Sequence, residues 1–204
     1  MNKETFYTFS SKLSSSTIQA HPINLSVKED SFGHFDQHKL TQGFYNGISL
    51  PVIFKQEYGK KAEDVLDTGW VGLFLISNNL RDVLVENGFT GWKTFAVKLL
   101  DKYGNEIQGY FGLSITGRCG KIDYTKAEII EKRIVPNGPL GKYYKGLPVG
   151  MDEWDGSDFF LPNNNYGILV KGKVAVALKK SKITNLRFEN IADIETPDFA
   201  LQNK

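Results

Sequence analysis

Three histidines, one cysteine and a knot of carboxylates are the side chains of this 204-residue chain best suited to chemistry. His34 and His38 stand four apart in GHFDQH, with Asp36 between them. On a helix that spacing puts both imidazoles on one face, which makes His34, Asp36 and His38 a candidate metal set. The flanking Ser31-Phe32-Gly33 and Gln42-Gly43 do not favour a long helix, however, and the glutamate of an HExxH site is missing. Loop or surface histidines are the plainer account. Cys119 lies in TGRCGK, where Arg118 and Lys121 would lower a thiol pKa and favour a nucleophilic thiolate. Every histidine lies at least 80 positions earlier, so a base would have to reach Cys119 through the fold. A free thiol, buried or half-buried, is the plainer account.

The other constellations are weaker. GRCGK and GPLGK fail as phosphate-cradling loops, because two residues rather than four separate the glycines and no Ser or Thr follows the lysine. MDEWDGSD at 151–158 gathers Asp152, Glu153, Asp155 and Asp158 around Trp154 without the alternating register of a calcium loop. It reads as a solvated turn or as an acidic, aromatic patch, with Asp152, Glu153, Trp154 and Asp155 as candidate partner contacts. Lys171, Lys173, Lys179, Lys180, Lys182 and Arg187 have no acidic residue among them from 171 to 188. That strip is a solvated helix face with cations near its C-terminus, or a ligand- or nucleic-acid-binding module over 171–187.

These residues need a scaffold, and the totals allow one. The chain is 41% hydrophobic and 13% aromatic, enough for a real core. Lys and Arg total 25 against 23 Asp and Glu, so no overall field draws it to nucleic acid or an anionic membrane. The opening MNKETFYTFSSKLSSSTIQAHP lacks the apolar stretch of a secretory signal, and the longest apolar run, WVGLFLI, is well short of the roughly 20 residues that span a bilayer. A single cysteine forms no internal disulfide, which suits a reducing cytosol. The expectation is a cytoplasmic chain with no membrane and no nucleic-acid partner.

Residues 1–66 read as a loop-rich region with short strands, and 67–204 as an α+β domain, with Asp64 to Asp67 and Gly69 at the boundary. Trp70 to Ile76 is β-compatible and Ser77 is placed to cap a helix. Leu80, Val83 and Leu84 share one face of that helix, and Asn87-Gly88 closes it. Trp92 to Leu100 reads as one strand, DKYGNE as a turn using Gly104, and EIQGYFGLSIT as the returning strand. DYTKAEIIEKRIV at 123–135 suits a short helix or, better, a strand. PNGPLGKYYKGLPVG is loop with an extended piece at Tyr143 to Val149. The fold class is α+β, with a mixed or mainly antiparallel sheet and few short helices.

At an offset of 94, FLISNNLRDVLVENGFTGWKTF at 74–95 lies on ILVKGKVAVALKKSKITNLRFE at 168–189 without gaps. Phe74, Leu75 and Ile76 fall on Ile168, Leu169 and Val170; Leu80, Val83 and Leu84 fall on Val174, Ala177 and Leu178; Phe89 and Thr90 fall on Ile183 and Thr184. Only Leu75, Leu84 and Thr90 are identical among the positions compared, so a true repeat and the shared grammar of any two strand-helix-strand units both remain open.

GSDFF at 156–160, the break LPNNNYG, the strand ILV, the helix VAVALKK and KITNLRFENI at 182–191 together resemble the C-terminal part of a bacterial family of immunity proteins of polymorphic toxin systems. LISNNLRDVLVENGFTGWKTFAVKLLDKYGNEIQGYFGLSIT resembles an earlier segment of related members. The resemblance covers roughly residues 70–195. It implies a non-enzymatic cytoplasmic protein that binds and neutralises a cognate toxin, with no cofactor, and it carries over no set of functional residues.

Overall fold

Frequent glycine turns and short β-branched runs cut the chain into many brief strands, which a computed structural model describes over residues 4–12, 14–26, 35–133, 136 and 138–198. The first half supplies β1 (Phe6–Ser11), β2 (Gln19–Pro22), α1 (Asp36–Gln42), β3 (Val52–Tyr58), β4 (Val65–Asp67), β5 (Phe74–Ser77), α2 (Asn78–Glu86), β6 (Trp92–Phe95) and β7 (Val97–Leu100). The second supplies β8 (Glu106–Ile107), β9 (Tyr110–Ile115), β10 (Gly117–Cys119), β11 (Glu128–Arg133), β12 (Leu140–Lys145), β13 (Phe159–Pro162), β14 (Ile168–Lys171), α3 (Gly172–Lys180), β15 (Leu186–Asn190) and β16 (Glu195–Pro197). The fold is α+β with mixed and antiparallel sheets.

Eight strands run in the order β6-β9-β5-β4-β2-β3-β7-β8, five in the order β10-β13-β14-β1-β15, and β11-β12-β16 form a small third sheet. In the eight-stranded sheet β6 sits at one end and β7 next to the other, yet Ala96 alone separates them in the chain. Neighbouring Cα atoms are about 3.8 Å apart, so the sheet must curl until its two ends meet. Phe54, Leu66, Leu73, Leu75, Phe95 and Leu99 fill the space it encloses. The expected continuous strand from Trp92 to Leu100 is therefore two: β6 pairs with β9, and β7 pairs with β3 and β8. The returning strand also divides, at Gly109 with φ +86°, so the hairpin around Gly104 closes only through β7 and β8. Ambiguous 123–135 holds a one-turn 3-10 helix at Tyr124–Lys126 followed by β11; residues 134 and 135 lie outside the described set.

The sheets cross the boundary expected near residue 66. Strand β1 lies between β14 and β15, and β2 and β3 lie in the same sheet as β5 and β9.

The offset of 94 reappears in three dimensions. Strand β5 pairs with β4 (Ile76 with Val65) and with β9 (Ser77 with Tyr110), and β9 pairs with β6 (Ile115 with Trp92). Strand β14 pairs with β13 (Val170 with Phe159) and with β1 (Lys171 with Phe6), and β1 pairs with β15 (Ser11 with Leu186). The same four-stranded unit is thus built twice in one register, with β9 in the first copy and β1 in the second as the partner strand. Each copy is flanked by a parallel strand: β2 lies on β4 (Gln19 with Asp67) and β10 lies on β13 (Arg118 with Leu161). Helices α2 and α3, nine residues each, touch one another and bury Leu80, Val83, Leu84, Val174 and Leu178 in one shared core. Ser77 caps α2 as its chemistry requires, its hydroxyl accepting the Leu80 N–H at 3.1 Å. Lys171 occupies the matching place before α3 and makes no side-chain cap.

Candidate functional site

The acidic turn forms because Met151–Glu153 make one turn of 3-10 helix and Asp155 then ties the chain to β10. Asp155 accepts the Arg118 N–H at 2.9 Å and the Ser157 N–H at 3.0 Å, and Ser157 Oγ donates to it as well. Burial pushes the Asp155 carboxyl up, but these hydrogen bonds outweigh it and hold the pKa below the usual range. Trp154 is not a projecting anchor. Its ring meets Phe6 edge-on at 5.4 Å and Phe160 at 5.6 Å, and its indole N–H donates to the Ser157 carbonyl. Asp152 and Glu153 are exposed, Glu153 accepting the Asn163 side-chain amide at 3.4 Å. Asp158 is buried among partners of its own.

Cys119 is fully buried on β10 beside Phe160 and Leu169. Burial, then the nearby Asp155 and Glu153 charges, push its thiol up to about 12 against the lowering effect of Arg118. Of the two sequence readings the buried free thiol is the one the structure supports; activation by basic neighbours fails because desolvation of the thiolate dominates.

His34 lies outside the described residues. Asp36 opens the seven-residue α1, where its carboxylate accepts the Ser26 N–H at 2.9 Å and faces Lys39 at 3.5 Å. His38 stacks on Tyr166 with centroids 4.1 Å apart. Among the described residues no three His, Cys, Asp or Glu side chains are grouped to hold a metal, and no helix is long and apolar enough to cross a membrane.

The basic strip is drawn inward at one end. Lys173 pairs with Asp158 at 2.7 Å and Lys171 lies 3.7 Å from the same carboxylate, both reaching out of the segment that has no acid of its own. Lys179 lies over the Tyr7 and Phe188 rings, and Arg187 faces Glu189 at 3.4 Å.

Sequence reasoning missed the turn between β4 and β5. It places Trp70 and Val71 at the start of a strand, but Gly69 and Gly72 have φ of +76° and +75°, which turns the chain there and delays β5 to Phe74. The turn walls a cleft of about 460 Å³ together with Tyr58 and Asp67. A second cleft of about 330 Å³ shares Gln19, Tyr58 and Asp67 with it. The available signal was a Trp-Val pair bracketed by glycines, a composition that suits a turn better than a strand.

A model of one immunity protein family matches residues 6–193. The chain belongs to the Imm11 immunity protein family. No curated protein matches it. The Imm11 match starts at the first residue of β1 and includes both copies of the duplicated unit. It therefore also takes in the N-terminal strands, where the sequence had offered no resemblance.

Proposed function

We propose that this Imm11 protein is a non-enzymatic, cytoplasmic binding protein of a polymorphic toxin system that occludes the active site of a cognate toxin and needs no cofactor. Membership of the immunity family over residues 6–193 carries this reading. The burial of Cys119 supports it, since a thiol held near 12 supplies almost no thiolate at neutral pH.

Asp152 and Glu153 serve the interface as charges, with Trp154 and Asp155 holding their turn in place. Opposite charge at an interface speeds association more than it deepens affinity. Asp152→Asn with Glu153→Gln should therefore slow association with a basic toxin several-fold at low salt, and little at high salt. An unchanged rate at low salt removes the turn from the interface.

The function itself is tested by co-expressing the chain with the toxin domain encoded directly upstream of it. Rescue of growth, together with a stoichiometric complex of the purified proteins, is the expected result. A toxin that stays fully active with an equimolar amount of this chain sinks the proposal.

A further inference from the structure

The two copies of the duplicated unit share a scaffold, so each is a control for the other. Hairpin β4–β5 turns through Gly69-Trp70-Val71-Gly72, and hairpin β13–β14 turns at the matching positions through Asn163-Asn164-Asn165-Tyr166. Between the second turn and Arg118 of β10 the space is about 180 Å³ and is plugged, while a separate cleft of about 440 Å³ lies between Asn164, Asn165 and Tyr144. Arg118 donates there to the carbonyls of Ile115, Gly117 and Gln42 at 2.7, 2.7 and 3.0 Å, and Tyr166 is covered by His38 of α1. Beside the first turn the strand position that matches Arg118 is Gln19, and the space widens to about 460 Å³.

The open cleft has an unusual lining. Among the described residues that line it, Asp67 is the only charged side chain, where the second copy has the buried apolar Leu161. Its carboxylate is fixed by the Ser11 hydroxyl at 2.8 Å and the Gly69 N–H at 2.6 Å. Tyr58 and Trp70 stand at the same cleft, 47% and 37% exposed, and Val71 is 72% exposed. The turn that carries Trp70 and Val71 is closely packed at its two glycines. A Cβ at Gly72 would lie 2.1 Å from the Tyr166 carbonyl, and one at Gly69 would lie 2.8 Å from the His21 ring. A lone carboxylate beside two aromatic side chains selects a cation, through charge-assisted hydrogen bonds and cation–π attraction. Exposed aromatics are also the groups that carry interface energy.

We infer that this cleft receives one arginine or lysine side chain from a protein partner, its cation held by Asp67 between Tyr58 and Trp70, with Val71 packed against the partner's surface. The identification of that partner as the toxin rests on the function proposed above; the cation site does not.

The test uses the full chain and two probes. Argininamide, followed by 1H–15N spectra, should shift the Trp70 indole while leaving Trp92 and Trp154 in place, and Asp67→Asn should abolish the shift. With the toxin domain encoded upstream, Asp67→Asn and Trp70→Ala should each weaken binding at least tenfold, with circular dichroism confirming that both variants fold. Trp70 is exposed at a turn, and the amide introduced by Asp67→Asn keeps an acceptor oxygen, so both are expected to fold. No Trp70 shift, or an equal shift in Asp67→Asn, overturns the cation site. A toxin that binds both variants as tightly as the wild type overturns the docking surface. If the wild type ignores the toxin but binds argininamide through Asp67, the neutralising function falls and the cation site stands.

Discussion

Asp64 and Asp158, 94 positions apart, close the two copies with the same bonds. One oxygen of Asp64 accepts both the N–H and the hydroxyl of Thr184, each at 2.9 Å; one oxygen of Asp158 accepts the N–H and hydroxyl of Thr90 at 3.1 and 3.4 Å. Each copy's aspartate therefore holds the threonine that follows the other copy's helix. The second oxygens differ: Asp64 takes the Ser77 hydroxyl and the Asn79 amide, and Asp158 takes the ammonium of Lys173, at the position matching Asn79. Burial pushes both carboxyls up, but their hydrogen bonds, and for Asp158 its lysines, hold both below the usual 3.8. A depressed carboxyl lends stability that is complete above its unfolded pKa of about 3.9 and is lost as pH falls through the lower folded value. Asp64→Asn and Asp158→Asn should each flatten the acid limb of a plot of Tm against pH below about pH 4, and an unchanged limb refutes the assignment. Salt should weaken only the Asp158 side, where a charge pair is at stake. Thr90 and Thr184 were legible in the sequence as an identity between the two segments. Their partners were not, because each aspartate lies ten positions before its matching segment begins, beyond the run of shared apolar residues.

At the scale of elements, the copies solve the same backbone problem with different residues. Gly88 closes α2 at φ +61° and Lys182 closes α3 at φ +54°; Gly91 and Asn185, again 94 apart, have φ of +82° and +54°. A non-glycine residue in this left-handed region costs about 1 kcal/mol. Lys182→Gly should therefore stabilise the protein by about that amount in urea unfolding, and a loss of stability would show that the lysine side chain matters more than its backbone. Gly91→Ala should cost more than about 2 kcal/mol, because its Cβ would lie 2.0 Å from the Phe159 carbonyl. Asn185 instead donates its amide to the matching carbonyl, Val65, at 2.6 Å. Both helices were readable from the spacing of Leu80, Val83 and Leu84 and of their counterparts, because burial against one core imposes a helical period. The strand breaks at Ala96 and Gly109 were not readable, since β6 and β7 are equally β-compatible and only the closure of the sheet separates them. The open cleft was hidden for a similar reason: Tyr58, Asp67 and Trp70 meet only once β3 and the β4–β5 turn are in place.

Over the whole molecule, the four strands of the first copy lie within residues 65–115, but those of the second copy are not one stretch of chain. The second takes its partner strand β1 from residues 6–11, and the chain then passes to β2 beside β4 of the first copy; β9 of the first copy passes likewise to β10 beside β13 of the second. Phe9 of β1 packs in the same core as Phe74, Ile76 and Leu84 of the first copy and Phe159, Val170 and Leu178 of the second. Neither unit can therefore open without exposing apolar surface of the other, and a core shared in this way makes partial unfolding costly. The expected outcome is a single two-state transition, with calorimetric and van't Hoff enthalpies equal and with tryptophan fluorescence and far-ultraviolet circular dichroism coincident. A separate earlier transition that released residues 4–66 alone would contradict it. The same exchange of strands predicts that a chain starting after β1 fails to fold, because β14 and β15 would lose the strand that joins them. The Trp70 turn joins the shared core through Phe74 on β5, and its Gly72 lies close against the Tyr166 carbonyl. A docking residue mounted in this way loses little freedom when a partner arrives, and that is the condition under which one exposed aromatic side chain can carry much of an interface.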